Sequence, residues 1–285
     1  GYTWSVLGAK RSGSIIGGQG RAASLDGAFR SFLGDSILFI DVGGDASGQS
    51  AGSRAAQWML LEQAMSEAGS EVLWSPEPLL TQAGRTALER YKSAGIVVFD
   101  VDRASDILQV IDFSGRHGLN AVISGGTEAW MVADQLAEAG VPVLINALSN
   151  LPANFDELGA RLDNAALLND VGVTVAFAGA GTHQARTLRQ LAGNAVANGL
   201  PYEAGLAAMT VSPAVIFALG DEYGSLEEDS VADLVIWSGD PLEVTSAADQ
   251  VIIAGKPVEM VSRQTLLRDR YLPENPGTPR AYIRP

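Results

Sequence analysis

Short runs of β-branched and aliphatic residues recur along this chain, with helical patterns between most of them. Runs that are apolar on both sides predict strands buried on both faces, as in a parallel sheet. The six predicted strands are "YTWSVL" (2–7), "ILFIDV" (37–42), "IVVFDV" (96–101), "AVIS" (121–124), "VPVLIN" (141–146) and "VTVAFA" (173–178). This repetition restricts the chain to a fold that alternates strands and helices.

Helical patterns occupy the intervals between these strands, and most are followed closely by a glycine, as helix C-termini are. The predicted helices are 53–68, 83–94, 103–116, 128–139, 156–169 and 183–198, with two short helices in 201–220. The order βαβα predicts an α/β fold, and the even repetition favours a (β/α) barrel over an open sheet.

Composition excludes several classes of protein. The formal net charge of −14 disfavours nucleic acid and anionic membranes as partners. Cysteine is absent, which excludes disulfides and thiolate ligands. No apolar run reaches the length of a transmembrane helix, and the start lacks the pattern of a signal peptide. Because the chain opens on strand-like residues without Met, we expect that an N-terminal portion precedes it.

Two glycine-rich segments follow predicted strands. The first, 8–20, matches neither a P-loop nor a dinucleotide fingerprint, so it is a flexible loop or a loop over a pocket. The second, 41–53, carries Asp41 and Asp45, which serve either turn chemistry or a ligand. The two interpretations stay open for both segments.

Polar residues at three strand ends are candidate site residues. Asp100 and Asp102 lie at the end of the strand 96–101, two residues apart, so they share a face. They could bind a metal or act as a general base, although one of them could instead cap the next helix. Glu128 begins a helix and serves either its N-terminus or a pocket. His183, one of two histidines, lies where a strand gives way to a helix and is either structural or catalytic.

The sequence contains no H-x-H, H-E-x-x-H or G-x-S-x-G motif. With two distant histidines and no cysteine, the chain cannot assemble a histidine-rich zinc site by itself.

The last third of the chain resembles the amidohydrolase superfamily in its imidazolonepropionase-like branch. The matching motifs are T-x-x-P-A (210–214), G-S-L-E-x-x-x-x-A-D-L-V-x-W (224–237), G-D-P-L (239–242) and V-x-x-x-G-K (251–256). Weaker similarity covers 13–20, 102–107, 125–144 and 168–181.

The resemblance implies a (β/α)8 TIM-type barrel whose first strands are missing from this chain, together with the C-terminal part of a small β-sandwich. Residues 1–222 would form the barrel portion and 223–262 the sandwich strands, which include a hairpin. Residues 263–285 would form a C-terminal helix and an irregular tail. The six predicted strands and two lost ones would complete the barrel.

The same resemblance implies a divalent metal, zinc, whose usual ligands this chain lacks. By this resemblance, active members carry a histidine after the fifth barrel strand and another after the sixth. This chain has Asp100 at the first of these positions and Gly125 at the second. The eighth-strand aspartate is replaced within 179–181. The metal-hydroxide mechanism of the family should therefore fail here, and no metal ligand is assigned.

The predicted function is hydrolysis of a carbon–nitrogen bond, other than a peptide bond, in a small amide or peptide-like substrate. Asp100, Asp102 and His183 are the predicted catalytic residues, and Arg103 and Glu128 the predicted substrate-binding residues. The alternative is an inactive barrel that binds a small ligand or pairs with a paralogue. As partners, the sequence leaves open a second copy of this chain in a homo-oligomer and a missing N-terminal segment. The resemblance leaves the compartment open between the bacterial cytoplasm and the periplasm.

Overall fold

A computed structural model describes residues 1–9, 14–50, 52–70, 78–179, 185 and 187–272. Over these residues the chain forms a mixed α/β fold with a seven-stranded sheet and a separate three-stranded sheet.

The larger sheet keeps its strands in chain order. They are β1 (Trp4–Leu7), β2 (Ile16–Ser24), β3 (Phe32–Asp41), β4 (Ile96–Val101), β5 (Asn120–Gly125), β6 (Val143–Ile145) and β7 (Val175–Phe177). The first three pair antiparallel, and β3 to β7 are parallel. All five parallel strands therefore end at the same edge of the sheet, which is the edge where α/β proteins place their sites.

Helices connect the parallel strands and continue after β7. They are α1 (Arg54–Glu67), α2 (Gln82–Glu89), α3 (Ala104–His117), α4 (Ala133–Ala139), α5 (Asn164–Asp170), α6 (Leu188–Ala197), α7 (Tyr202–Ala207), α8 (Val211–Ile216) and α9 (Arg263–Tyr271), with 3-10 turns at Ser47–Gln49 and Ala129–Val132. Gly118 and Gly140 take the left-handed conformation directly after α3 and α4, as predicted for C-terminal glycines.

Both faces of the parallel sheet are covered, which explains the continuous apolar runs. On β4, Val97 and Phe99 pack into the cluster formed with the helices, whereas Ile96 and Val98 pack on the opposite face against Ile216. Alternate residues of a strand point to opposite faces. Asp100 therefore continues the face of Ile96 and Val98 at the end of β4.

The predicted C-terminal hairpin is present. β8 (Leu234–Trp237) pairs antiparallel with β9 (Ala248–Ile253), and β9 pairs with β10 (Lys256–Pro257) to form the three-stranded sheet. Within the described ranges, no helix has the length and apolar character needed to cross a bilayer.

Three sequence predictions need correction. The first predicted strand is an antiparallel neighbour of β2, so five strands rather than six form the parallel part. Residues 16–20, predicted as a loop, belong to β2, because glycine does not prevent pairing when a neighbouring strand is present. The helix predicted over 156–169 begins only at Asn164, since 146–163 forms a long connection over the carboxyl edge of the sheet.

Candidate active site

Two aspartates meet where β3 and β4 end. Asp41 and Asp100 are register partners in the parallel pair β3–β4, so their Cα atoms lie side by side. Asp41 is buried, and it shares a face with Ile37 four residues earlier. Both carboxylates therefore lie on the same face of the sheet, at its carboxyl edge.

A small polar cavity opens at this edge. Its volume is about 10 Å³, which holds about one water molecule. The lining residues come from the ends of β3 and β4, from the turn after β3 and from the connection after β6: Asp41, Val42, Asp45, Ala46, Asp100, Val101, Asp102, Asn154 and Asp156.

Asp102 is held by the backbone and side chain of Thr127. Its Oδ1 accepts a hydrogen bond of 3.1 Å from the Thr127 amide and one of 2.6 Å from the Thr127 hydroxyl. Burial raises the pKa of Asp102, the two Thr127 bonds lower it, and the nearby charges of Asp100 and Glu157 raise it further. The net result is a carboxyl that binds a proton more readily than an exposed aspartate does.

Gly125 makes room for this carboxylate. A Cβ atom at Gly125 would lie 2.7 Å from Oδ1 of Asp102, and the glycine has φ of +95°. A side chain at this position would collide with Asp102 and strain the backbone. Gly125 stands where the family resemblance implies a histidine after the sixth strand. The absence of a side chain at Gly125 is therefore what allows Asp102 to occupy its position.

Glu128 joins two segments at the carboxyl edge. One carboxylate oxygen accepts from the Ala104 amide at the start of α3 (3.1 Å), and the other accepts from the Gly159 amide (3.0 Å). Its own amide donates to the Asp102 carbonyl (2.9 Å). Glu128 is buried and serves the N-terminus of α3 rather than that of its own 3-10 turn.

A charged network fixes the connection after β6 to the neighbouring loops. Arg54, the first residue of α1, forms ion pairs with Asp106 in the first turn of α3 and with Asp156. Asp156 also accepts a hydrogen bond of 2.5 Å from the Gly44 amide. Burial raises the pKa of Asp106, and the Arg54 charge lowers it. One guanidinium thus connects the segments that follow β3, β4 and β6.

The side chain of Gln57 fixes the turn after β3 by hydrogen bonds to its backbone. Its side chain is fully buried; its Oε1 accepts from the Gly43 amide (2.9 Å) and its Nε2 donates to the Gly43 carbonyl (2.7 Å). The amide group therefore satisfies both polar atoms of a glycine with φ of +102°.

The structure brings together part of the predicted site. Asp100 and Asp102 line the same cavity, and Asp102 bonds to Thr127 rather than to the helix it was considered to cap. Arg103 is exposed at the N-cap position of α3. His183 lies outside the described residues.

Sequence reasoning missed Arg54, Asp156 and Gln57. They lie on a helix and on a long connection without a recognisable motif, and their partners are distant in sequence. The one sequence signal for this network was Asp106 in the first turn of a predicted helix. Because a carboxylate is common in that position without an ion-pair partner, Asp106 did not point to Arg54.

The zinc ion that the resemblance implies does not fit the described side chains. Within the described part of the chain, no three His, Cys, Asp or Glu side chains come together as a group that could hold a metal ion. Two of the acidic residues near the cavity, Asp106 and Asp156, are already paired with Arg54.

Comparison with known proteins identifies the family. The sequence profile of the Amidohydrolase family matches residues 99–259, which is more than half of the 285 residues. This chain belongs to the Amidohydrolase family.

Two known proteins are similar to it. The crystal structure of an amidohydrolase from Thermotoga maritima MSB8 superposes with a TM-score of 0.76 at 25% sequence identity, covering 90% of this chain and 72% of that one. Amidohydrolase tasK of Hapsidospora irregularis is 44% identical over 46 residues. That match spans 16% of this chain and 5% of that protein.

Proposed function

We propose that this chain hydrolyses a carbon–nitrogen bond, other than a peptide bond, in a small amide or peptide-like substrate. The observation that carries the proposal is the placement of Asp100 and Asp102 on one cavity at the carboxyl edge of the parallel sheet, in a member of the Amidohydrolase family. The alternative of an inactive barrel gains no support from the comparisons.

We further propose that β3 to β7 are part of an eight-stranded barrel whose other strands lie outside these 285 residues. The hairpin β8–β9 would belong to a β-sandwich completed from the same region. The 72% coverage of the Thermotoga protein supports this proposal, since the larger relative contains additional chain.

Asp102 is the residue suited to proton transfer. In the proposed reaction a water oxygen attacks the amide carbon while Asp102 accepts a proton from that water. The carbon–nitrogen bond then breaks, and Asp102 returns the proton to the departing nitrogen. Burial raises the pKa of Asp102, which makes its carboxylate a better base than that of an exposed aspartate.

The other predicted residues take supporting roles in this proposal. Asp100 lies beside Asp102 and raises its pKa. Arg103 is exposed next to Asp102, and in this proposal it would contact an anionic group of the substrate. Both oxygens of Glu128 bond to backbone amides, so we assign it to positioning the segments around Asp102. His183 remains a catalytic candidate.

The test is hydrolysis of a panel of N-acyl amines, N-acyl amino acids and cyclic amides in water enriched in ¹⁸O, followed by mass spectrometry. The proposal predicts release of the amine and one ¹⁸O atom in the new carboxylate. Absence of product from every member of the panel, in a preparation that unfolds cooperatively, would contradict it.

A further inference from the structure

The two carboxylate oxygens of Asp102 have different surroundings. Oδ1 accepts both hydrogen bonds from Thr127, one from the hydroxyl (2.6 Å) and one from the amide (3.1 Å). Oδ1 is also the atom that a Cβ at Gly125 would meet, so it points toward the end of β5. Among the described residues, no group donates a hydrogen bond to Oδ2. Oδ2 is therefore the oxygen that is left to exchange a proton.

The segment that carries Thr127 is itself fixed to the end of β4. The Gly126 amide donates to the Val101 carbonyl (2.8 Å). The Glu128 amide donates to the Asp102 carbonyl (2.9 Å). Thr127 lies between these two bonds and is buried. The backbones of Thr127 and Asp102 therefore keep one relative position, which fixes where the hydroxyl meets the carboxylate.

Asn164 holds the same segment from the start of α5. Its side-chain Nδ2 donates to the Gly126 carbonyl (2.9 Å) and to the Thr127 carbonyl (3.2 Å). Asn164 is buried, so no solvent would replace this donor if the side chain were lost. A series of hydrogen-bonded groups thus runs from Asn164 through Thr127 to Asp102.

The cavity beside Asp102 holds about one water molecule, so an attacking water fits in it while the scissile amide stays at its mouth. We propose that Thr127 is a positioning residue for the reaction: by holding Oδ1 of Asp102, it presents Oδ2 to that water. The proton passes from the water to Oδ2 as the new oxygen–carbon bond forms, and from Oδ2 to the departing nitrogen as the carbon–nitrogen bond breaks. This inference rests on the proposed function, and it adds the residue that orients the base.

Substitutions of Thr127 separate positioning from packing. Thr127→Val keeps the shape of the side chain without its hydroxyl, whereas Thr127→Ser keeps the hydroxyl. At a pH above the pKa of Asp102, kcat/KM on the best amide of the panel should fall about tenfold or more in Thr127→Val and stay within about threefold of wild type in Thr127→Ser. Thr127→Ala, which also lacks the hydroxyl but needs less space, should match Thr127→Val and replaces it if the valine variant does not fold.

Thr86→Val is the matched control. The Thr86 hydroxyl also donates one hydrogen bond, to the Gln82 carbonyl within α2, and neither residue lines the cavity. This variant should keep wild-type kcat/KM.

The second readout is the titration of Asp102, which needs no turnover. The carboxyl carbons are observed by NMR in protein labelled with ¹³C-aspartate, and the Asp102 signal is the one absent from Asp102→Asn. Because the Thr127 hydroxyl stabilises the ionised carboxylate, the pKa of Asp102 should rise by about one pH unit in Thr127→Val and stay near wild type in Thr127→Ser. The acidic limb of kcat/KM should move with it. The other charged groups that act on Asp102 or line the cavity are the same in all variants: Asp41, Asp45, Asp100, Asp156 and Glu157.

Three outcomes would overturn the inference. The first is equal kcat/KM in the wild type and Thr127→Val, and the second is an equal loss in Thr127→Val and Thr127→Ser. The third is an Asp102 titration that Thr127→Val leaves unchanged. Failure of the proposed function is read separately: a wild-type chain that hydrolyses no amide refutes that function, while the titration still decides whether Thr127 holds Asp102.

Discussion

Replacement of Arg54 by methionine tests whether the charged network holds the site together. The change removes the cation between Asp106 and Asp156 while keeping a long side chain on α1. The carboxylates of Asp106 and Asp156 are largely buried, with 8% and 11% of their side chains exposed, so both would remain in a poorly solvated place without their partner.

The expected cost follows from this burial. Breaking a buried ion pair by removing one partner destabilises a protein by about 3–5 kcal/mol, and the part-exposure of Arg54 places this case near 3 kcal/mol. With a denaturant slope of about 3 kcal/mol per molar urea, the unfolding midpoint should fall by about 1 M. The assay is urea unfolding followed by circular dichroism.

The loss of stability in Arg54→Met should be smaller at low pH than at high pH. Burial holds the pKa of Asp106 above its unfolded value, and loss of Arg54 raises it further. A carboxyl with a raised folded-state pKa penalises folding above that pKa, and the penalty fades as the pH falls through it. Arg54→Met should therefore be closer to wild type at pH 5 than at pH 8.

The matched control is Arg268→Met, which removes an exposed ion pair with Asp269 on α9 and should cost about 0.5 kcal/mol or less. An Arg54→Met midpoint within error of that control, or a deficit that grows as the pH falls, would refute the reasoning.

Three further predictions concern single side chains. Gln57→Leu leaves both polar atoms of Gly43 unpaired and should lower the free energy of unfolding by about 2–4 kcal/mol in urea titrations, against little change for exposed Gln82→Leu. Gly125→Ala should cost about 1–3 kcal/mol by thermal melting, because of its positive φ and the contact with Asp102; a neutral result would contradict the close approach. Asp102→Asn should melt above wild type at pH 7 and equal to it near pH 4, since burial raises the pKa of Asp102 and its ionisation opposes folding above that pKa; a lower melting temperature at pH 7 would argue against this sign.

The strands of the parallel sheet were largely predictable because their signal is local. The run 96–101 is apolar on both faces, and β4 occupies those residues. β2 was missed because its glycines weaken the local strand signal, and its pairing with β1 and β3 is a tertiary effect. The antiparallel pairing of β1 with β2 likewise could not be predicted from the residues of β1 alone.

The candidate site was predictable only in part. Asp100 and Asp102 follow a recognisable strand, so their place at the carboxyl edge could be inferred from topology. Arg54 and Asp156 are 102 positions apart in sequence. Their contact depends on how a long connection folds back over the sheet, for which neither periodicity nor a motif gives a signal.

The central claim is that Asp102 transfers protons in amide hydrolysis at this cavity. The most direct measurement is kcat/KM of the wild-type chain, Asp102→Asn and Asp112→Asn on the best amide of the panel, the last being an exposed aspartate of α3. The account predicts a loss of about 100-fold or more for Asp102→Asn, as removal of a general base causes, and wild-type activity for Asp112→Asn. Equal activity of all three proteins would contradict it.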